Sequence, residues 1–364
     1  MSSTVFGLLW LLELWTRVGG VMMQARVAAD GVEEAAKGSL CARLRDRGTH
    51  FTTEVEVGTP PQKLDVVADT GSNTLIVSSC VCHMRHRCFP DSKCFRGFGN
   101  SSTFVVTAAI GNIPDLTILK FGSGDIVAAF ATDLVRVGHV PALMKNALLL
   151  MVDHRLRMEG PFEGILGLGL PGAEIPGAKW MSAPGYLERA DVRRFSICFT
   201  PDAGGALQLN ASLGPKLLGS IGRSHWGLGF HGVSVGNASV PAAFCTTSSM
   251  RFGQETPCGV IPDSGSTLML GPPHQILHLM AAICDGWDRC ARASAQKHQA
   301  KHHTLQELFL DCGSWLADNM TKAIEELPVL YFHIVGAGGE RQALKIPPSA
   351  YLMETDSKGM HRFS

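Results

Sequence analysis

This chain has little charge and no surplus of either sign. Lys plus Arg number 32, Asp plus Glu number 32, and charged residues make up 18% of the 364 positions. A protein that grips nucleic acid needs a basic excess to meet phosphate, so that class of partner is excluded. Long apolar runs are missing too: none approaches the roughly eighteen residues needed to cross a bilayer. Low-complexity tracts and short-period repeats are absent, and helical periodicity is sparse.

What is present points to a folded, exported protein. The length suits two domains or one large bilobal one. Val5 to Leu12 is an apolar block of signal-peptide length, interrupted at Glu13, with small residues at Gly20 and Ala25. Residues 1–25 therefore read as a signal peptide. Residues 26–48, charged and rich in Gly and Ala, read as a leader or short propeptide carrying an isolated Cys41. Eleven Cys are many for a reduced compartment. Seven Asn would give about one N-x-[Ser/Thr] sequon by chance, yet four occur, at Asn100, Asn210, Asn237 and Asn319. These features predict a secreted or endolysosomal (vacuolar) glycoprotein.

From Phe51 onward the pattern is β. "HFTTEVEVG" alternates polar and apolar residues, "TPPQK" is a turn, and "LDVVADTG" is a strand. Short Val/Ile/Leu/Thr runs recur at 104–109, 116–121, 125–137, 195–200, 206–209 and 233–240, bounded by Gly, Pro or Asn. An all-β class follows. A helix is expected over 272–284, and another within 305–324. The polar, His-rich stretch between them (284–303), with His298, His302 and His303, reads as an exposed inserted loop.

One long repeat stands out. "VVADTGSNTL" (66–75) returns as "VIPDSGSTLML" (260–270), 194 residues later. Composition alone would yield Asp-[Ser/Thr]-Gly-[Ser/Thr] roughly 0.03 times. A strand ending in Asp before a Gly turn delivers a carboxylate, and adjacent hydroxyls can hold its orientation. Two copies can bring two carboxylates face to face. Such a pair shares one proton, so one member can act as base towards a water while the other protonates a carbonyl oxygen. Amide hydrolysis without metal, cofactor or covalent intermediate is the chemistry this predicts.

Here the sequence resembles the pepsin-like aspartic peptidases, a bilobal all-β family, from about Phe51 to Tyr351. "VGTPPQKLDVVADTGSNTLIVSS" is similar to the first active-site segment and "IPDSGSTLMLGP" to the second. "FEGILGLG" (162–169) resembles the segment threading beneath the first Asp loop, "FSICF" (195–199) the strand leaving the first lobe, and "IPPSAYL" (346–352) a late second-lobe segment. The resemblance implies Asp69 and Asp263 as the catalytic pair, supported by Thr70, Gly71, Ser72, Ser264, Gly265 and Ser266. It implies a peptide or protein substrate and a monomer. It also implies lobes at 49–208 and 209–364, and a flap at Phe121, Gly122, Ser123 and Gly124. The family usually places Tyr at 121 and Trp at 76, which hydrogen-bond each other. This chain has Phe121 and Ile76, a paired loss that predicts a repacked flap with Asp125 as a solvated turn carboxylate. The cysteine-rich "CVCHMRHRC…C" resembles plasmepsin V-like and nepenthesin-like branches more than pepsin.

The tail departs from the family. Gly167 follows Asp69 by 98 residues, and the same offset from Asp263 reaches residue 361, where no second apolar-apolar-Gly occurs. A second lobe lacking its closing strands is expected. The alternative function is then a catalytically impaired peptide-binding relative. Cys80, Cys82, Cys88 and Cys94, flanked by His83 and His86, read as two disulfides rather than a zinc site. Further bridges are expected from Cys245 to Cys258 and from Cys284 or Cys290 to Cys312, leaving Cys198 and Cys41 over.

Overall fold

The computed structural model describes residues 22–27, 41–89, 91–110, 113–157, 162–172, 184–200, 204–210, 218–237, 258–312, 315, 320–352, 354–357 and 360–363. Glu13–Gly227, joined by Ile261–Thr267, form one compact unit; Leu228–Val260 and the chain from Leu268 belong to another. The short segment carrying the second Asp motif thus belongs with the first unit.

That first unit is built on a 14-stranded mixed sheet. Its centre is Phe51–Val57 antiparallel to Gln62–Asp69, with Gly164–Gly167 running parallel to the latter and antiparallel to Leu75–Ser78. Alternation at period two decides what each face buries. Val66, Leu75 and Val77 pack into one cluster, while Val67, Ile76 and Ile165 join Leu119, Ile126 and Met151 in the other. Both faces are covered, so these central strands read as nearly continuous apolar runs. Each fully buried Val, Leu or Ile contributes about 1.5–3 kcal/mol.

Part of the segment expected as a leader belongs to this sheet. Cys41–Asp46 pairs with both Phe51–Val57 and Gly204–Leu209, and Leu44 is fully buried. Met22–Val27 runs parallel to Arg194–Thr200. Local composition concealed Cys41–Asp46 because a six-residue strand with two inward apolar positions, Ala42 and Leu44, looks much like a polar linker.

The second unit holds a four-stranded antiparallel sheet: Gly259–Val260, Leu228–Val235, Leu330–Val335 and Arg341–Ile346 in that spatial order. It also corrects the sequence reading. The expected helices appear as Pro273–Asp285 and, within 305–324, as parts of Lys301–Leu310 and Met320–Glu325, but the stretch read as an inserted loop is mostly helical as well, through Asp288–Lys297 and the start of Lys301–Leu310. Each ten-residue helix buries only two side chains, Cys290 and Ser294 in one and Thr304 and Leu305 in the other. So thin an apolar stripe leaves little periodic signal. Trp287 and Trp315, ring centroids 5.0 Å apart, fill the space beside them.

Bridges form between Cys80 and Cys94 and between Cys82 and Cys88, two among the four cysteines as expected. Cys284, however, pairs with Cys290 rather than either pairing with Cys312, which is buried nearby. Proximity won: six residues separate the partners across the Gly286 turn between two helices. Cys258 is disulfide-bonded, and its expected partner Cys245 lies outside the described residues. Opening the Cys80–Cys94 loop by a double Ala substitution should cost about 3 kcal/mol, measured by denaturant unfolding.

Candidate active site

Each Asp motif folds into the same local device. Asp69 Oδ1 accepts from the Gly71 amide at 2.8 Å and Oδ2 from Ser72 Oγ at 2.5 Å. Asp263 repeats this, accepting from the Gly265 amide at 2.9 Å and from Ser266 Oγ at 2.7 Å. A carboxylate so held by an amide two residues on and a hydroxyl three residues on has one orientation.

The remaining two hydroxyls act differently from the sequence expectation. Thr70 and Ser264 do not hold the carboxylates; they tie the loops together. The Thr70 amide donates to Ser264 Oγ at 3.1 Å, and the Ser264 amide donates to Thr70 Oγ1 at 3.0 Å. Thr70 Oγ1 then donates to the Pro262 carbonyl at 2.8 Å, while Ser264 Oγ donates to the Ala68 carbonyl at 2.6 Å. The four bonds obey a twofold relation between segments 194 residues apart. Thr70 is fully buried. Thr70→Val keeps the shape but strands the Ser264 amide and the Pro262 carbonyl, so a loss of about 2–4 kcal/mol is expected in thermal or denaturant unfolding.

The glycines make the approach possible. A Cβ at Gly71 would stand 2.6 Å from the Asp263 carboxyl carbon, and one at Gly265 2.5 Å from Asp69 Oδ1. The two carboxyl groups therefore face each other across the paired turns. Their surroundings differ. Asp69 is buried, and Asp263 is half-buried. Burial first, then the Asp263 carboxylate within hydrogen-bonding reach, push the Asp69 carboxyl up to about 7, against the opposing pull of Ser72 and the Gly71 amide.

Support beneath the two loops is unequal. Under the first, Gly164–Gly167 continues into bonds from the Gly167 amide to the Thr74 carbonyl, from Leu168 to Asp69 and from Gly169 to Ser72. Trp226 Nε1 donates to the Leu168 carbonyl and closes that layer. Under the second, no strand among the described residues takes the equivalent place. Ile261 and Leu270 are exposed where their counterparts in the first copy, Val67 and Ile76, are buried. Sequence inspection missed one further tie, the bond from Thr267 Oγ1 to the Thr49 carbonyl at 2.6 Å, since a backbone acceptor leaves no trace in residue type.

The residues expected as a flap form a hairpin, Leu116–Phe121 against Gly124–Thr132. Gly122 and Ser123 make the turn. Bonds from the Arg155 amide to the Asp125 carbonyl and from the Arg157 amide to the Ser123 carbonyl anchor it. Gly124 has φ +138°, and a Cβ there would lie 2.1 Å from the Arg155 carbonyl oxygen, whereas Gly122 stands in open space. Only the first of these is required to be glycine. Phe121 packs against the cluster containing Ile76. Asp125 is half-buried rather than fully solvated.

The structure thus sets two matching Asp-Thr/Ser-Gly turns against each other on a mostly β chain. The family described as eukaryotic aspartyl protease matches residues 50–362, and the chain belongs to it. The chain is similar to renin of Ovis aries, 24% identical over 79% of this chain and 64% of that one. It is similar to pepsin A-5 of Mus musculus, 27% identical over 83% of this chain and 68% of the relative. Pregnancy-associated glycoprotein 1 of Ovis aries is 26% identical over 85% and 70% respectively. The chain thus spans about two thirds of the length of these curated relatives.

Proposed function

We propose that this chain is an aspartic-type endopeptidase in which Asp69 and Asp263 activate one water against a peptide carbonyl. The observation that carries this reading is the reciprocal approach of the two Asp turns, each glycine leaving room only for the other loop's carboxylate. A proton shared by the pair resides on Asp69, the more buried member. Asp263 takes a proton from the attacking water, and Asp69 gives its own to the carbonyl oxygen. The resulting gem-diol collapses to acid and amine as the proton passes to the leaving nitrogen. The substrate is an extended peptide beneath the Phe121–Gly124 hairpin, bound through main-chain hydrogen bonds and side-chain pockets.

The double-bridged insertion after the first motif supports placement near the nepenthesin-like branch. Three described disulfides support residence in the secretory pathway. No helix among the described residues is long and apolar enough to cross a membrane.

A second reading has its own support. The exposed apolar residues flanking Asp263 favour a peptide-binding relative with little or no turnover. A peptide-library digest across pH 3 to 8, with and without the inhibitor pepstatin, separates the two. Pepstatin-sensitive cleavage that declines as pH rises through about 7, where the shared proton leaves, supports the enzyme. Pepstatin binding without cleavage supports the binder.

A further inference from the structure

His50 is a buried imidazole that the proposed chemistry does not use. It sits in the turn between Cys41–Asp46 and Phe51–Val57, closed by the Arg47 amide donating to the His50 carbonyl at 3.0 Å and the Gly48 amide to Asp46 Oδ1 at 2.7 Å. Side-chain bonds tie the turn together and to its surroundings, among them Arg47 Nε donating to Thr52 Oγ1 at 3.2 Å and the Arg47 guanidinium donating to Asp65. His50 Nδ1 pairs with Thr49 Oγ1 at 3.0 Å, and the Thr49 carbonyl receives the Thr267 hydroxyl at 2.6 Å. Thr267 directly follows Ser266, whose hydroxyl holds Asp263. A line of contacts therefore runs from the imidazole to the second Asp loop, the one with no strand beneath it among the described residues.

We propose that His50 is a proton-sensitive positioning residue for the Asp263 loop, neutral when the loop is held and charged when it is released. The ring is only 7% exposed, and its Nε2 atom has no partner. A neutral imidazole satisfies Thr49 and leaves one nitrogen unmet; an imidazolium carries two N–H donors, one aimed at nothing. The charged groups facing it are Arg47 from the same turn, Asp46 from the preceding strand and Asp65 from Gln62–Asp69. Burial first, then the Arg47 guanidinium, hold the imidazole below its ordinary range, and the two carboxylates only partly offset them.

The sign follows from linkage. The unfolded chain takes up this proton more readily than the folded one, so the stabilisation is present above the ordinary His range and is lost as pH falls. Relief comes by opening the turn, which withdraws the Thr49 carbonyl from Thr267. Resting on the proposed hydrolase reading, this confines activity to a band near neutrality: the carboxyl pair needs its shared proton, which it loses as pH rises through about 7, and His50 must stay uncharged.

Hydrogen exchange of the full chain tests this without requiring turnover. Between pH 7 and pH 5, after correction for intrinsic rates, protection of amides 264–266 should fall about tenfold in the wild type and less than about twofold in His50→Phe. Equal pH dependence in both proteins overturns the proposal. If His50→Phe does not fold, the wild type and Thr267→Val decide. Thr267→Val should expose the same amides at both pH values while leaving the His50 ring titration by NMR unchanged. A wild-type ring titrating at or above about 6.5 overturns the idea. A wild type that cleaves nothing yet loosens in acid sinks the hydrolase reading and leaves the role of His50 standing.

Discussion

Asp69→Asn lowers kcat for a peptide substrate by about 10³-fold or more, because it removes the proton donor and the shared charge together. Asp263→Asn does the same by removing the base. Stability moves the other way. The Asp69 carboxyl is held up to about 7 by burial and by Asp263, so the folded state favours its protonated form. That stabilisation is complete below the ordinary carboxylate range and disappears as pH rises through about 7. Above it, the wild type must hold two facing charges. Asn carries none, so at pH 8 the Asp69→Asn protein should be more stable than the wild type by roughly 2–4 kcal/mol, and the gap should close at pH 4. Calorimetric unfolding at the two pH values measures it. Equal stability at pH 8 would mean that the carboxyl groups do not interact, and the proposed chemistry would fail with it.

Gly71→Ala should be the most damaging change that leaves every polar group in place. Its new methyl would overlap the Asp263 carboxyl, 2.6 Å from both Cγ and Oδ1. Asp263 is fixed by Gly265 and Ser266, so the loops must separate instead. A displacement of about 1 Å at the reacting groups costs on the order of a hundredfold in rate. Separation also weakens the mutual repulsion that helps hold the Asp69 proton, so the alkaline limb of the pH profile should move to lower pH. Gly265→Ala is the matched control, with its methyl 2.5 Å from Asp69 Oδ1. Activity within about twofold of wild type in either variant would show that the turns do not approach this closely in solution, since so tight an overlap cannot be absorbed without movement.

Much of the site was legible from residue order because its parts are local. Asp69, Gly71 and Ser72 close one turn within four residues, and Asp263, Gly265 and Ser266 repeat it. A motif that closes on itself shows its spacing in the sequence. The strands of the first unit were legible for a related reason, since period-two burial writes itself into Val66, Val67, Leu75, Ile76 and Val77. Legibility failed where the signal was thin or the partner was backbone. Leu44 sits in a strand with too few inward residues to stand out. Asp288–Lys297 buries only two side chains and reads as loop. The Cys284–Cys290 bridge depended on a turn into a second helix, Asp288–Lys297, that had been read as loop.

Residue order alone determined the family, the two acidic turns and the hydroxyls that orient each carboxylate, because those features are set within a few positions of chain. Tertiary structure alone decided that Thr70 and Ser264 knit the turns together and that burial separates Asp69 from Asp263. It also linked Thr49 and His50 to the second turn. These depend on carbonyls, depth and distance between segments nearly two hundred residues apart, and only folding brings such quantities into being.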